Sequence, residues 1–200
     1  MSHYYKYDPS LKSEKKIVSY TFKGELVKLS SDLGVFSKDR VDFGTNVLLN
    51  SLVEEDLNKS DSILDVGCGY GVIGVCLAKK YKEKMITMID VNDRCIDLVN
   101  ENIKSNNLKN AKALKSDLYS EVSEQFDMII SNPPIRAGKD VVSGVVADGF
   151  SHLKEGGVIY VVIQKKQGAP SLGKLMREVY GNMDVVNKDK GYFILRSERK

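Results

Sequence analysis

No apolar run in the 200 residues approaches the roughly 18–20 that a bilayer-spanning helix needs. The opening MSHYYKYDPS has no apolar signal core, so nothing points to export, and a cytoplasmic location is expected. Cysteine is scarce: Cys68, Cys76 and Cys95 are odd in number and lack C-x-x-C spacing, which excludes a disulfide framework or a metal knot. The two histidines, His3 and His152, are too few for most metal or triad chemistries. Both read as surface residues, His152 on the polar face of a helix, and no metal site is expected. Internal repeats, low-complexity tracts and Gly/Ser linkers are also absent. Neither sign of charge dominates: 30 Lys and Arg stand against 27 Asp and Glu, a net +3, with the lysines spread along the chain. That balance is compatible with an RNA partner without arguing for one.

What is present is an ordinary globular composition, 42% hydrophobic and 28% charged, long enough for one domain with a real core and a small extension. Residues 1–16 are polar; Tyr4, Tyr5 and Tyr7 either stack on bases or dock on the domain. From Ile17 the pattern alternates, through Ser19 and Thr21, then Glu25, Val27 and Leu29. Lys23-Gly24 lies between as the turn of a β-hairpin. A helix over 44–57 follows, with Val47, Leu48, Leu52 and Val53 on one stripe. Residues 1–43 are thus read as an N-terminal extension carrying the hairpin, and 44–200 as the main domain.

Strands and helices then alternate. Strands are expected at 62–66, 85–90, 111–115, 126–131 and 158–164. Helices are expected at 72–80, 93–106 (Asn92 as N-cap), 141–153 and 172–180, with a closing hairpin over 185–196 around Lys190-Gly191. This is an α/β fold: a Rossmann-like, seven-stranded mixed sheet with helices on both faces, preceded by a small β-hairpin. Ligands of such sheets bind outside the carboxyl ends of the strands. The glycine loop, Asp90, Asp117 and Asn132 each follow a strand, so they converge on one edge.

The loop reads Asp65-Val66-Gly67-Cys68-Gly69-Tyr70-Gly71. Its glycines let the backbone turn tightly beside a ligand, and a helix begins just after them. The same stretch contains Gly69-Tyr70-Gly71-Val72-Ile73-Gly74, a G-x-G-x-x-G dinucleotide fingerprint with Asp90 about 20 residues on. A dinucleotide-dependent oxidoreductase is therefore a competitor. Asp65 favours a cationic ligand, because a carboxylate there would repel a pyrophosphate and attract the amino group and sulfonium of S-adenosylmethionine. Asp90, with Val91 beside it, would hold ribose hydroxyls. Asp117, with Leu118, would meet the adenine amino group; alone it reads equally as a helix cap or solvated turn.

Ser131-Asn132-Pro133-Pro134 follows the fourth strand. Two prolines stiffen the backbone and remove two donors. The Asn132 amide oxygen and the Pro133 carbonyl are suited to accept the hydrogens of a conjugated amine, aiming its lone pair at a methyl donor without a metal. A rigid turn is the plainer reading. Ile135 is aliphatic where methyltransferases acting on adenine, cytosine or glutamine amides commonly have an aromatic residue.

These residues make the chain resemble the small-domain methyltransferase family, which includes ribosomal small-subunit RNA guanine-N2 methyltransferases; it is most similar to short, single-domain bacterial members. Four segments carry the resemblance: Gly34-Val35-Phe36-Ser37-Lys38-Asp39-Arg40-Val41-Asp42-Phe43-Gly44-Thr45, the 65–71 loop, the 131–134 turn, and Ile163-Gln164-Lys165-Lys166-Gln167-Gly168-Ala169-Pro170. The resemblance implies a class I methyltransferase fold with S-adenosylmethionine as cofactor. It implies that Phe36, Ser37, Asp42, Gly44 and Thr45 cover that cofactor beside Asp65, Gly67, Cys68, Gly69, Gly71, Asp90, Val91, Asp117, Leu118 and Asn132. It also implies catalysis by Asn132, Pro133 and Pro134 on guanine N2 of ribosomal RNA. Ile135, Lys165 and Gln167 are the substrate-side candidates; the lysine-rich segment reads equally as a solvated loop. A protein amide or small metabolite is the alternative acceptor, and a catalytically silent RNA-binding module the remaining one.

Overall fold

The computed structural model describes residues 12–134 and 138–200; His3, Tyr4, Tyr5, Tyr7 and Ile135 lie outside the described residues. Strands β1 (Lys16–Phe22) and β2 (Glu25–Ser31) form the expected hairpin. Its turn residues Lys23 and Gly24 have φ of 46° and 84°, the left-handed pair that a two-residue turn requires. Alternation sends Val18, Phe22, Val27 and Leu29 inward and leaves Ile17 and Leu26 exposed.

The single helix expected over 44–57 is two helices, α1 (Phe43–Asn50) and α2 (Glu54–Lys59). Ser51 ends the first: its hydroxyl donates back to the Val47 carbonyl at 2.6 Å and accepts from Asn187. Val53 N–H turns to the Tyr160 hydroxyl, and Glu54, Glu55 and Asp56 then fill the first turn of the second helix. Asp56 is buried, where it accepts from Tyr160 Oη at 2.5 Å and from Arg196 at 2.6 and 2.8 Å. The apolar stripe was legible, but these polar anchors override it.

Seven strands follow: β3 (Ser62–Val66), β4 (Met85–Asp90), β5 (Ala111–Lys115), β6 (Phe126–Ser131), β7 (Leu153–Gln164), β8 (Asp184–Asp189) and β9 (Tyr192–Glu198). They lie in the order β5-β4-β3-β6-β7-β9-β8. The first five in the chain are parallel, and β9 and β8 close the sheet antiparallel. The order reverses between β3 and β6, which opens the crevice where such sheets bind ligands.

Helices α3 (Val72–Lys80), α4 (Asp93–Ser105), α5 (Lys139–Ala147) and α6 (Ala169–Tyr180) cover the two faces. Side chains alternate between two cores. Ile63, Met128, Ile130 and Tyr160 pack with α1, α3, α4 and the hairpin. Leu64, Ile129, Ile159 and Val161 pack with α5 and α6. Gly74 allows α3 to lie flat on β4, since a Cβ there would meet Met88 at 2.3 Å.

The helix expected over 141–153 ends at Ala147 with one tight turn, Asp148–Phe150, and β7 begins at Leu153 rather than Val158. Tyr119 and Tyr180 donate to the carbonyls of Val145 and Val146 at 2.7 and 2.9 Å, capping the helix early. His152 therefore lies after the helix, not on its polar face, and its ring stacks on Tyr119 at 4.6 Å.

Two asparagines one turn apart, Asn102 on α4 and Asn106 at its C-cap, act as a strand. Asn102 accepts from Ser30 N–H at 2.7 Å and donates to the Ser30 carbonyl at 3.0 Å, while Asn106 donates to the Lys28 carbonyl at 2.8 Å and accepts from Lys28 N–H at 3.4 Å. The hairpin is thereby paired to the main domain through its outer edge. Among the described residues no helix is long and apolar enough to cross a membrane.

Candidate functional site

A cavity of about 470 Å³ opens at the carboxyl ends of the strands, within the ~300–1,000 Å³ of small-ligand clefts. The glycine loop and the Asn-Pro-Pro turn, which follow the neighbouring strands β3 and β6, both line it. A Cβ on Gly67 would sit 3.6 Å from Pro134 Cδ, so the two motifs are in contact. The Ser131 hydroxyl donates to the Val66 carbonyl at 2.8 Å, locking the end of β6 to the end of β3.

Gly69, at φ 56°, donates its N–H to Asp90 Oδ2 at 2.9 Å, and Asn92 N–H donates to Oδ1 at 2.9 Å. Asp90 thus braces the loop while lining the cavity. Burial raises its carboxyl above the usual range, against the pull of those N–H donors. Burial likewise pushes the Cys68 and Cys95 thiols up, so both stay protonated and are poor nucleophiles.

Asp65 lies beneath the loop, fully buried and outside the cavity wall. Its Oδ2 accepts from Gly74 N–H at 3.0 Å, a donor of the first turn of α3, and Oδ1 has no hydrogen-bond partner among the described residues. Burial, opposed by the Gly74 bond and helped by Asp90, raises its pKa to about 7. Asp65 is thus set back from the cavity that the expected cofactor contacts surround. It caps α3 from below and leaves one orphaned acceptor under the glycine loop.

Asn132 is oriented by two neighbours. Its Nδ2 donates to Thr45 Oγ1 at 2.8 Å and to Asp42 Oδ2 at 3.1 Å. Asp42 also caps α1 by accepting from Thr45 N–H at 3.2 Å. Two donations exhaust the amide hydrogens, and Oδ1 has no hydrogen-bond partner among the described residues. Asp42 and Thr45 are the groups that fix the amide.

The cavity brings together Phe36, Ser37, Asp42, Thr45, Gly67, Cys68, Gly69, Asp90, Val91, Asp117, Leu118, Asn132, Pro133, Pro134 and Gln167. Gly44, Asp65, Gly71 and Lys165 do not line it. Gly44 makes room for Tyr192, Gly71 starts α3, and Lys165 is exposed at the turn after β7. Among the lining residues outside the expected set are Tyr70, Gln164 and Tyr192. Tyr192 follows the recognised Lys190-Gly191 turn and pairs with Gln164, the last residue of β7. Only strand order puts that pair at the ligand edge, and strand order is not written in the local pattern.

The donor set suits a small cationic, hydroxylated ligand: a bracing carboxylate at Asp90, another at Asp117, and a buried unpartnered oxygen beneath the loop.

The family model described as methyltransferase small domain matches residues 26–196. The chain is 45% identical to an uncharacterized protein, YbxB, of Bacillus subtilis, over 98% of both chains. It is 30% identical to ribosomal RNA small subunit methyltransferase C of Salmonella paratyphi B, over 94% of this chain and 54% of that one. Among solved structures, the T. thermophilus 16S rRNA N2 G1207 methyltransferase (RsmC), in complex with AdoMet and guanosine, aligns with a TM-score of 0.84 at 26% identity. That match covers 96% of this chain and 52% of the other. The chain thus spans about half the length of the small subunit methyltransferase C relatives it matches. The fold is that of class I methyltransferases, and the oxidoreductase reading of residues 69–74 is set aside. By its sequence over residues 26–196 and by the fold that carries them, the chain belongs to the methyltransferase small domain family.

Proposed function

We propose that the protein is an S-adenosylmethionine-dependent N-methyltransferase whose acceptor is the exocyclic N2 amine of a guanine in ribosomal RNA. One observation carries the chemistry: Thr45 and Asp42 consume both amide hydrogens of Asn132, so a fixed oxygen is the group offered to an acceptor. The likeness to RsmC supports guanine and RNA.

S-adenosylmethionine, when bound, supplies an electrophilic methyl group on a sulfonium. Asp90 recognises its ribose hydroxyls and Asp117 its adenine end, while the glycine loop admits its amino acid end above Asp65. A base amine is a weak nucleophile because its lone pair is spread into the ring. Asn132 Oδ1 and the Pro133 carbonyl accept its two hydrogens and favour the pyramidal form, whose lone pair is available. Pro133 and Pro134 keep those oxygens fixed, so little reorganisation accompanies transfer. Oδ1 is too weak a base to retain the proton that the methylated amine sheds, which passes to water. Phe36 and Ser37 cover the cofactor, and Lys165, Gln167 and Ile135 are the residues assigned to the RNA.

Labelled methyl donor is supplied with ribosomal small subunits from cells lacking the protein. Label recovered as N2-methylguanine is expected. Label on a protein amide or a small metabolite instead would move the acceptor. Failure to bind S-adenosylhomocysteine by calorimetry would remove the donor as well.

A further inference from the structure

Three aromatic residues line the cavity: Phe36, Tyr70 and Tyr192. Tyr70 is buried, and its hydroxyl donates to the Ser37 carbonyl at 3.3 Å. Phe36 belongs to the loop assigned to the cofactor. Tyr192 differs in two ways. It lines the main cavity and also a second, adjacent one beside β1, the two sharing Ser37, Asp42 and Tyr192. Its hydroxyl has no hydrogen-bond partner among the described residues, and its ring is only half-buried.

The ring is held by its neighbours. A Cβ on Gly44 would lie 2.7 Å from Tyr192 Cε1 and 2.9 Å from Asp42 Oδ2, so the missing side chain leaves room for both the ring edge and the carboxylate. Phe43 tilts against the ring at 5.6 Å, and Lys190 Nζ sits 4.8 Å from the centre of the Phe43 ring. The same Asp42 oxygen accepts from Asn132 Nδ2. A rigid aromatic surface with a free phenol therefore abuts the group that aims the acceptor oxygen.

We infer that Tyr192 is the substrate-binding face on which the acceptor base stacks. The inference rests on the proposed reading for the acceptor being a base. Bases stack on aromatic side chains wherever single strands are recognised. The aliphatic Ile135 leaves that part to another residue.

The test uses the full chain with Tyr192→Leu and Tyr192→Phe. Guanosine binding to the S-adenosylhomocysteine-loaded protein is read by saturation-transfer NMR, with thermal melting to verify folding. Stacking of one base predicts about a 10- to 100-fold loss of guanosine affinity in the Leu variant. The Phe variant should lose only a few-fold, and S-adenosylhomocysteine binding should change less than about two-fold in both. KM for RNA should rise while kcat holds. Guanosine unbound by the parent protein, or bound equally by the Leu variant, overturns the inference, as does a parallel loss of S-adenosylhomocysteine. Ribosomal RNA refusing label while guanosine binding still depends on Tyr192 would sink the acceptor reading and leave Tyr192 standing.

Discussion

Asn132 donates to Asp42 Oδ2 at 3.1 Å, and the same oxygen accepts the backbone N–H of Thr45 at 3.2 Å. One carboxylate oxygen therefore both starts helix α1 and orients the amide proposed for catalysis. Secondary structure and chemistry share a hydrogen-bond acceptor.

That sharing separates two variants. Asn132→Ala should lower kcat by about 10²–10³-fold, the cost of removing one placed polar group at a reacting centre, with S-adenosylhomocysteine binding and melting temperature near those of the parent. Asp42→Ala should lose activity and also about 1 kcal/mol of stability, because the cap goes too. Labelled-methyl turnover and urea unfolding read the two effects. Equal stability in both variants would mean that the cap contributes nothing.

Asp90 braces Gly69 and Asn92 while facing the cavity. Asp90→Ala should weaken S-adenosylhomocysteine by about 10- to 100-fold, as expected for lost hydrogen bonds to a charged group. Calorimetry on the folded variant measures this. Unchanged affinity would reduce Asp90 to a structural brace.

Burial holds Asp65 at about 7, well above its unfolded value of 3.8. Between those values the folded chain binds more protons than the unfolded one, so stability falls as pH rises. The contribution is fully present below pH 4 and gone above pH 7, up to ~4 kcal/mol from this group. Burial shifts Asp90 in the same direction. Asp65→Asn should flatten the slope of unfolding free energy against pH between 4 and 7. An unchanged slope would assign the titration elsewhere.

The Asp56 carboxyl is drawn down by Arg196 and Tyr160 despite its burial. Arg196→Met strands that carboxylate and should cost about 3 kcal/mol. Adding Asp56→Leu should recover part of the loss. Urea midpoints of the single and double variants decide, and a double variant no better than the single would point to packing instead.

Periodicity carried the architecture far because the central strands β3, β4, β6 and β7 face two apolar layers, and each turn is marked by its own residues, as at Lys23-Gly24 and Lys190-Gly191. It failed where a polar side chain overrules an apolar stripe. Ser51 and Tyr160 cut one expected helix in two, and Tyr119 and Tyr180 shorten another. At the site, residues fixed by a local motif were legible. Tyr192 was not, because its place depends on which strand lies beside β7. The pairing of Thr45 with Asn132, 87 residues apart, is likewise visible only once the chain is folded.

Asn102 on α4 and Asn106 at its C-cap also guard a strand edge. A strand with unpaired backbone groups is a template that another chain can extend. At Lys28 and Ser30 the template is already occupied by amides on a helix, whose repeat of one turn matches two residues of strand. A third strand would have to displace Asn102, which also donates to the Tyr70 carbonyl in the glycine loop at 2.9 Å. Growth of fibrils or swapped dimers along this edge would thus also break a bond to the ligand loop, so one side chain ties the blocked edge to the binding loop.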